Sequence, residues 1–169
     1  VFEGWVNVVV HPGVFPRSYV YEDEHGVVHQ LDEPVAGESW YNGPVLLSWP
    51  AVEAGYEQTG MALVIHEFAH KIDMLDGEVD GLPPLTGTAR KPFAEVQQAA
   101  YDDFCRRVDA DEDTAIDPYA AAHIDEFFAV SCEVFFAEPE LLREEYREYF
   151  EQLLQWFRID PLAGRLFEA

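Results

Sequence analysis

The pentapeptide His66–His70, with the sequence His-Glu-Phe-Ala-His, places metal-binding side chains inside an apolar run that begins with Met61–Ile65. The run has the periodicity of a helix. Residues four apart lie on one helix face, so His66 and His70 can reach one metal ion together. Glu67 is displaced by one residue, close enough to act as a general base on a water bound to that ion. The pattern therefore predicts a helix that binds zinc and makes a nucleophile from water.

The order of elements along the chain predicts an α+β fold. Strand-like stretches fall in the first 50 residues, whereas the remainder has helical periodicity interrupted by Gly and Pro. We expect a small N-terminal mixed or antiparallel β-sheet packed on a helical bundle that carries the His66–His70 helix. Residues 1–169 are expected to form a single domain. Because the sequence begins with Val1, we interpret it as a fragment that lacks an N-terminal segment.

Turn residues and apolar patterning predict the bounds of the individual elements. The predicted strands are Trp5–Val10, Ser18–Glu22, Val27–Leu31 and Val45–Trp49, with a hairpin turn at Asp23–Gly26. The predicted helices are Thr59–Leu75 with Thr59 as its cap, Pro92–Val108, Tyr119–Ala137 and Pro139–Phe157, and a short helical turn is expected at Ala51–Gly55. If the strand Val45–Trp49 lies at the edge of the sheet, it could pair with an extended peptide and lay it across the metal.

The charge of the chain excludes two classes of partner. The formal net charge is -23, from 33 acidic and 10 basic residues. This balance argues against nucleic acid, whose phosphates need basic patches, and against an anionic membrane surface. The sequence contains no apolar run of about 18 residues, so no membrane span is predicted. Cys105 and Cys132 are expected to be buried free thiols rather than a disulfide or metal ligands.

A catalytic zinc usually takes three protein ligands, so one must come from outside the pentapeptide. Glu126 is the best candidate because it lies in a stretch rich in Phe, Val and Ala, where a carboxylate needs a partner or a metal. His123, three residues earlier, is a rival that spacing does not exclude. Glu133, seven residues after Glu126, could hydrogen-bond one of the ligands. The alternative that both glutamates are solvated surface residues stays open.

Two further residues could support the chemistry. Asp73 shares the face of His66 and His70 and could accept a hydrogen bond from the far nitrogen of a zinc-bound histidine. It could equally be a carboxylate near the helix end with no metal role. Tyr119 precedes Glu126 by seven residues, two turns of one helix, and its phenol could donate a hydrogen bond to a developing oxyanion. The alternative for Tyr119 is simple packing.

Several sequence blocks together resemble the zinc peptidases of the MtfA family, the Mlc titration factor A proteins. The blocks keep the family's order and span about Gly37 to Phe136, which makes the match far more specific than the pentapeptide alone. The core is also similar to the catalytic domain of anthrax lethal factor. The matching blocks are Gly37–Trp40, Gly43–Trp49, His66–Asp73, Asp80–Leu85 and Asp125–Val130.

The resemblance implies a zincin-like peptidase domain with one Zn2+ per chain, held by His66, His70 and Glu126. It implies Glu67 as the general base and Tyr119 as the residue that stabilises the transition state. It also implies a cytoplasmic protein with aminopeptidase-type activity on small peptide substrates. Family members in enterobacteria bind the repressor Mlc, so the alternative function is a zinc-containing binding module that acts on a transcriptional repressor or another protein.

Overall fold

The structure is a computed structural model of the chain and describes residues 7–22, 25–58, 62–163 and 165–166. Strands come first in these residues and helices follow, which confirms the predicted α+β fold class. The chain divides into two compact units, Val1–Glu67 and Phe68–Ala169, and the division falls inside one continuous helix. That residues 1–169 act as a single domain stays a prediction.

The first unit contains two small sheets. The strands β2 (Phe15–Glu22) and β3 (Val28–Val35) form an antiparallel hairpin, as predicted, although both strands are longer than expected. Asp23 and Glu24 of the predicted turn lie outside the described residues, as do Trp5 and Val6 of the first predicted strand. The other sheet is mixed and has the order β1-β5-β4, formed by β1 (Val8–His11), β4 (Gly37–Ser39) and β5 (Val45–Ser48).

The strand β5 lies in the middle of its sheet. It pairs with β1 in parallel and with β4 in antiparallel orientation, so it does not meet the condition, a place at the sheet edge, under which it could pair with a peptide. Val45, Leu47 and Ser48 are buried, as is usual for a central strand. The strand ends at Ser48, and the helix α1 (Trp49–Gln58) follows directly; it is longer than the predicted turn at Ala51–Gly55. Pro50 lies in the first turn of α1, where the fixed φ of proline is favourable.

Helices dominate the second unit. The helix α2 (Ala62–Asp73) spans the division and confirms most of the predicted Thr59–Leu75 helix, while the proposed cap Thr59 lies outside the described residues. Among the helices described, none is long and apolar enough to cross a membrane. The remaining elements are α3 (Arg90–Asp109), α4 (Ile124–Ala137), α5 (Pro139–Glu145), α6 (Arg147–Phe157), the short strands β6 (Ile159–Asp160) and β7 (Arg165–Leu166), and 3-10 turns at Met74–Asp76, Gly87–Ala89 and Pro118–Ala121.

The predicted helix Tyr119–Ala137 is interrupted near its start. Tyr119 lies in the 3-10 turn, and His123 has an extended backbone with φ -154° and ψ 158°, so α4 begins only at Ile124. The Tyr101 hydroxyl donates a hydrogen bond of 3.1 Å to the Ala121 carbonyl, which holds this segment against α3. The prediction that Tyr119, His123 and Glu126 share one helix face is therefore wrong. The predicted Pro139–Phe157 helix also divides, at Tyr146, into α5 and α6.

An aromatic core holds α4 in place within the second unit. The fully buried Phe127 ring stacks on Tyr149 at 5.5 Å between centroids and also contacts Tyr101 and Phe104 at 5.4 Å. Such contacts stabilise a core beyond the burial of apolar area. Both cysteines are free thiols as predicted; Cys132 is buried, which raises its pKa well above the usual value, whereas Cys105 is only half-buried. Because Phe127 is anchored on several sides, the preceding residue, Glu126, has a fixed position.

Candidate metal centre

Three side chains at the expected positions come together around α2. His66 and His70 lie one turn apart on this helix, and Glu126 lies in the first turn of α4. Each offers one ligand atom, and these atoms all lie within 4.8 Å of one another. All three residues are half-buried, so they are neither freely solvated nor sealed from solvent. Two imidazole nitrogens with one carboxylate oxygen form a donor set that catalytic zinc sites use.

The distance between two of these ligand atoms fits a single ion. The Nε2 atom of His70 and the Oε2 atom of Glu126 are 3.4 Å apart, and their side chains are 12% and 17% exposed. Donor atoms about 2.0–2.1 Å from a tetrahedral zinc lie roughly 3.3 Å from each other. The pair can therefore form one edge of a zinc tetrahedron. The residues fit the metal that the sequence predicts.

The rival ligand His123 does not belong to this group. His123 is exposed and precedes α4 in extended backbone, whereas Glu126 is inside the helix. Among the described residues, the structure brings Glu126 and not His123 to the two histidines. Glu133 lies on α4 and is half-buried, and Tyr119 is 58% exposed. The roles of Glu133 and Tyr119 stay predictions.

Glu67, the predicted general base, lies against two residues of β4, Gly37 and Ser39. Only 5% of Glu67 is exposed. The Ser39 hydroxyl lies 2.6 Å from the Glu67 backbone oxygen and 3.0 Å from its Oε2 atom. A Cβ atom at Gly37 would come within 2.7 Å of Glu67 Cγ and Cδ, so the missing side chain leaves room for the carboxylate. Both residues lie in the matching block Gly37–Trp40, but no local pattern connects that block to Glu67.

Asp73 is fully buried at the end of α2 and binds the loop that follows. Its Oδ1 atom accepts hydrogen bonds from the backbone amides of Asp80 at 3.2 Å and Leu82 at 3.1 Å. Burial raises the pKa of Asp73 to about 6, although the loop amides act in the opposite direction. Among the atoms described, Oδ2 has no hydrogen-bond partner. A bond from Asp73 to a zinc-bound histidine stays a prediction.

The loop between α2 and α3 is fastened to the start of α4. Gly81 has φ +74°, and a Cβ atom there would lie 2.6 Å from the Ile124 carbonyl oxygen. The buried Gln97 amide donates a hydrogen bond of 2.8 Å to the Gly81 carbonyl. The guanidinium group of Arg90 donates hydrogen bonds to the carboxylates of three acidic residues of the loop, Asp76, Glu78 and Asp80. Arg90, Gln97 and Gly81 together hold the loop beside the turn that carries Glu126, and no local sequence pattern predicts this role.

Comparison with known proteins gives a consistent result. The sequence model of the glucose-regulated metallo-peptidase M90 family matches residues 1–158. The chain is 35% identical over 164 residues to the Mlc titration factor A of Pectobacterium atrosepticum, covering 95% of this chain and 62% of that protein. The Mlc titration factor A of Yersinia pestis strain Pestoides F is 33% identical over 164 residues, with 95% and 61% covered. The chain thus spans about three fifths of the length of these curated relatives.

Proposed function

The chain belongs to the glucose-regulated metallo-peptidase M90 family, and from this membership we propose that it is a zinc-dependent peptidase acting through the site on α2. The observation that carries the proposal is the convergence of His66, His70 and Glu126 within 4.8 Å, with Glu67 next to the first histidine. Other metals bind imidazole and carboxylate ligands, but this donor set is typical of catalytic zinc.

The proposed mechanism assigns a role to the zinc ion and to each of five residues. Zinc, when bound, supplies Lewis acidity that lowers the pKa of a water ligand to about 7 and polarises a carbonyl group. His66, His70 and Glu126 would hold the ion. Glu67 takes a proton from the attacking water and delivers it to the leaving amine. Tyr119 donates a hydrogen bond to the carbonyl oxygen as negative charge develops there.

We place the peptide backbone along the strand β4 rather than β5. Of the described strands in its sheet, β4 forms one edge, and its residue Ser39 bonds directly to Glu67. An extended peptide that adds to this edge would bring its backbone close to the proposed base. The net charge of -23 favours neutral or basic peptides over acidic ones. Aminopeptidase-type cleavage is the mode we propose, on the basis of the family resemblance.

The test compares hydrolysis by wild type and Glu67→Gln at equal zinc content. We expect kcat of Glu67→Gln to fall at least about 100-fold, because the amide cannot accept the proton. The matched control is Glu53→Gln, which changes an exposed glutamate on α1 and should hydrolyse as wild type does. Substrates are amino acid anilides with free and with acetylated amino termini. Equal rates for wild type and Glu67→Gln would refute the role of Glu67, and equal rates for the two substrate types would refute the aminopeptidase mode.

Binding to a transcriptional repressor is the second candidate, favoured by the name of the relatives, which describes titration of Mlc. If the chain is a zinc-containing binding module, it should still bind the repressor when the proposed general base, Glu67, is replaced. Purified repressor should therefore bind wild type and Glu67→Gln equally if this function is present. A cytoplasmic location, which we also propose from the resemblance, is tested by cell fractionation of the full-length protein.

A further inference from the structure

The Ser39 hydroxyl contacts two atoms of one residue. Its oxygen lies 2.6 Å from the Glu67 backbone oxygen and 3.0 Å from Glu67 Oε2. A serine hydroxyl has one hydrogen to donate, and here both neighbours are acceptors, so the two oxygens share that hydrogen in a three-centre bond. The hydroxyl therefore bridges the carboxylate of Glu67 to the backbone of the same residue. This bridge limits rotation of the glutamate side chain about its own bonds.

Gly37 restricts the same side chain from a second position on β4. Side chains two residues apart on a strand point to one face, so positions 37 and 39 both face Glu67. A Cβ atom at Gly37 would lie 2.7 Å from both Cγ and Cδ of Glu67, closer than side-chain atoms pack. Position 37 requires glycine because a side chain there would collide with Glu67, and not because of its backbone, since the φ of Gly37 is not in the left-handed region. The carboxylate thus lies over Gly37 and against Ser39.

We propose that Ser39 and Gly37 are positioning residues for the peptidase reaction, with β4 orienting the Glu67 carboxylate. The proposal rests on the proposed function of Glu67 as the general base. A base must lie within hydrogen-bond reach of the proton it abstracts, so a small rotation of the carboxylate reduces the rate. Positioning by a neighbour affects the chemical step more than substrate binding, and this difference can be measured.

The kinetic test uses Ser39→Ala, Ser39→Thr and the control Ser48→Ala. Ser48 is a fully buried serine in the same sheet, and its hydroxyl has no hydrogen-bond partner in the described part of the chain. We expect Ser39→Ala to lower kcat roughly 10- to 100-fold with zinc content unchanged, and to change KM less than about 2-fold. Ser39→Thr keeps the hydroxyl and should recover most of kcat, and Ser48→Ala should match wild type.

A measurement on metal-free protein tests the contact without any turnover. The thermal midpoints of wild type, Ser39→Ala, Glu67→Ala and the double variant form a double-mutant cycle. The Glu67 backbone oxygen remains as an acceptor in Glu67→Ala, so the non-additive part reports how the carboxylate changes the contribution of the Ser39 hydroxyl. We expect Ser39→Ala to lower the midpoint more when Glu67 is present than when it is alanine. Additive shifts would overturn the proposal.

The two tests separate failure of the inference from failure of the proposed function. A wild-type protein that holds zinc but cleaves no peptide substrate would refute the proposed peptidase function, and with it the positioning role. An active wild type with Ser39→Ala equally fast would refute positioning while leaving the peptidase function intact. Slow turnover by Ser39→Ala and Ser39→Thr alike would show that the hydroxyl is not responsible and would also overturn the inference.

Discussion

The carboxylate of Glu126 adds a third candidate ligand to a pair of histidines on one helix. Two histidines four residues apart occur on many helices, whereas Glu126 comes from a different element and lies 3.4 Å from His70. We expect Glu126→Ala to weaken zinc binding at least about 10-fold, measured by competition with a chelator, because a catalytic zinc needs its third protein ligand. His123→Ala should bind zinc as wild type does. Reversal of these two results would reassign the third ligand to His123.

The buried carboxyl group of Asp73 should make stability depend on pH. Its pKa is about 6 in the folded chain against an ordinary value of 3.8, because burial disfavours the charged form. A raised pKa in the folded state means that the protonated carboxyl group of Asp73 contributes to the free energy of unfolding. This contribution is fully present below about pH 4 and is lost as the pH rises through about 6. The difference between the two pKa values corresponds to on the order of 3 kcal/mol of unfolding free energy.

Comparison of wild type with Asp73→Asn tests this expectation, because asparagine mimics the protonated acid. The unfolding free energy of metal-free wild type should fall relative to Asp73→Asn between about pH 4 and pH 7. Asp102→Asn, which changes an exposed carboxylate on α3, serves as the control and should show no such trend. A constant difference between wild type and Asp73→Asn across this range would contradict the raised pKa of Asp73.

At the scale of elements, the contact between Gly81 and the start of α4 should matter more than the left-handed backbone of Gly81 alone. Gly81 and Gly87 have φ of +74° and +63°, but only at Gly81 would a Cβ atom meet another group, the Ile124 carbonyl, at 2.6 Å. We expect Gly87→Ala to cost about 1 kcal/mol of unfolding free energy and Gly81→Ala clearly more. Zinc affinity should fall only in Gly81→Ala, because α4 carries Glu126.

The matched pair of glycine variants is measured by urea unfolding and by chelator competition on the same samples. If Gly81→Ala and Gly87→Ala lose equal stability, the backbone conformation alone accounts for both glycines. In that case the loop has no special role in placing α4.

Element types were largely predictable from the sequence, whereas breaks and sheet order were not. The residues between Tyr119 and His123 are three alanines, which favour helix, so no local signal predicts the extended backbone at His123. The break instead accompanies a tertiary hydrogen bond from Tyr101 to Ala121. The apolar character of β5 was evident, but alternation does not tell a central strand from an edge strand. Its pairing with both β1 and β4 depends on distant residues.

The site shows the same division between local and distant information. His66, Glu67 and His70 follow from helical spacing within one element, and they lie on α2 as predicted. Ser39 and Gly37 contact Glu67 only because a strand far away in sequence folds beside it. Residues that position a functional group from another element leave no periodic pattern, so spacing alone could not reveal them.

At the scale of the whole molecule, zinc should stabilise the fold, since the ion joins ligands from two helices. At a free zinc concentration about 100-fold above Kd, we expect stabilisation of about 2.7 kcal/mol, seen as a higher thermal midpoint. The chain carries 33 acidic residues, and weak surface binding of zinc must be separated from the site. His66→Ala keeps that surface and should lose the shift. An equal shift in His66→Ala would place the stabilising zinc elsewhere.

The close approach of Gly37 to Glu67 makes the two positions epistatic. While residue 67 is glutamate, any side chain at position 37 collides with it, so a mutational scan of an active protein should accept only glycine there. If residue 67 is shortened to alanine, the collision disappears and alanine at position 37 becomes acceptable to the fold. The chemistry of the proposed base therefore limits which sequences a small edge strand can evolve through, although that strand supplies no metal ligand.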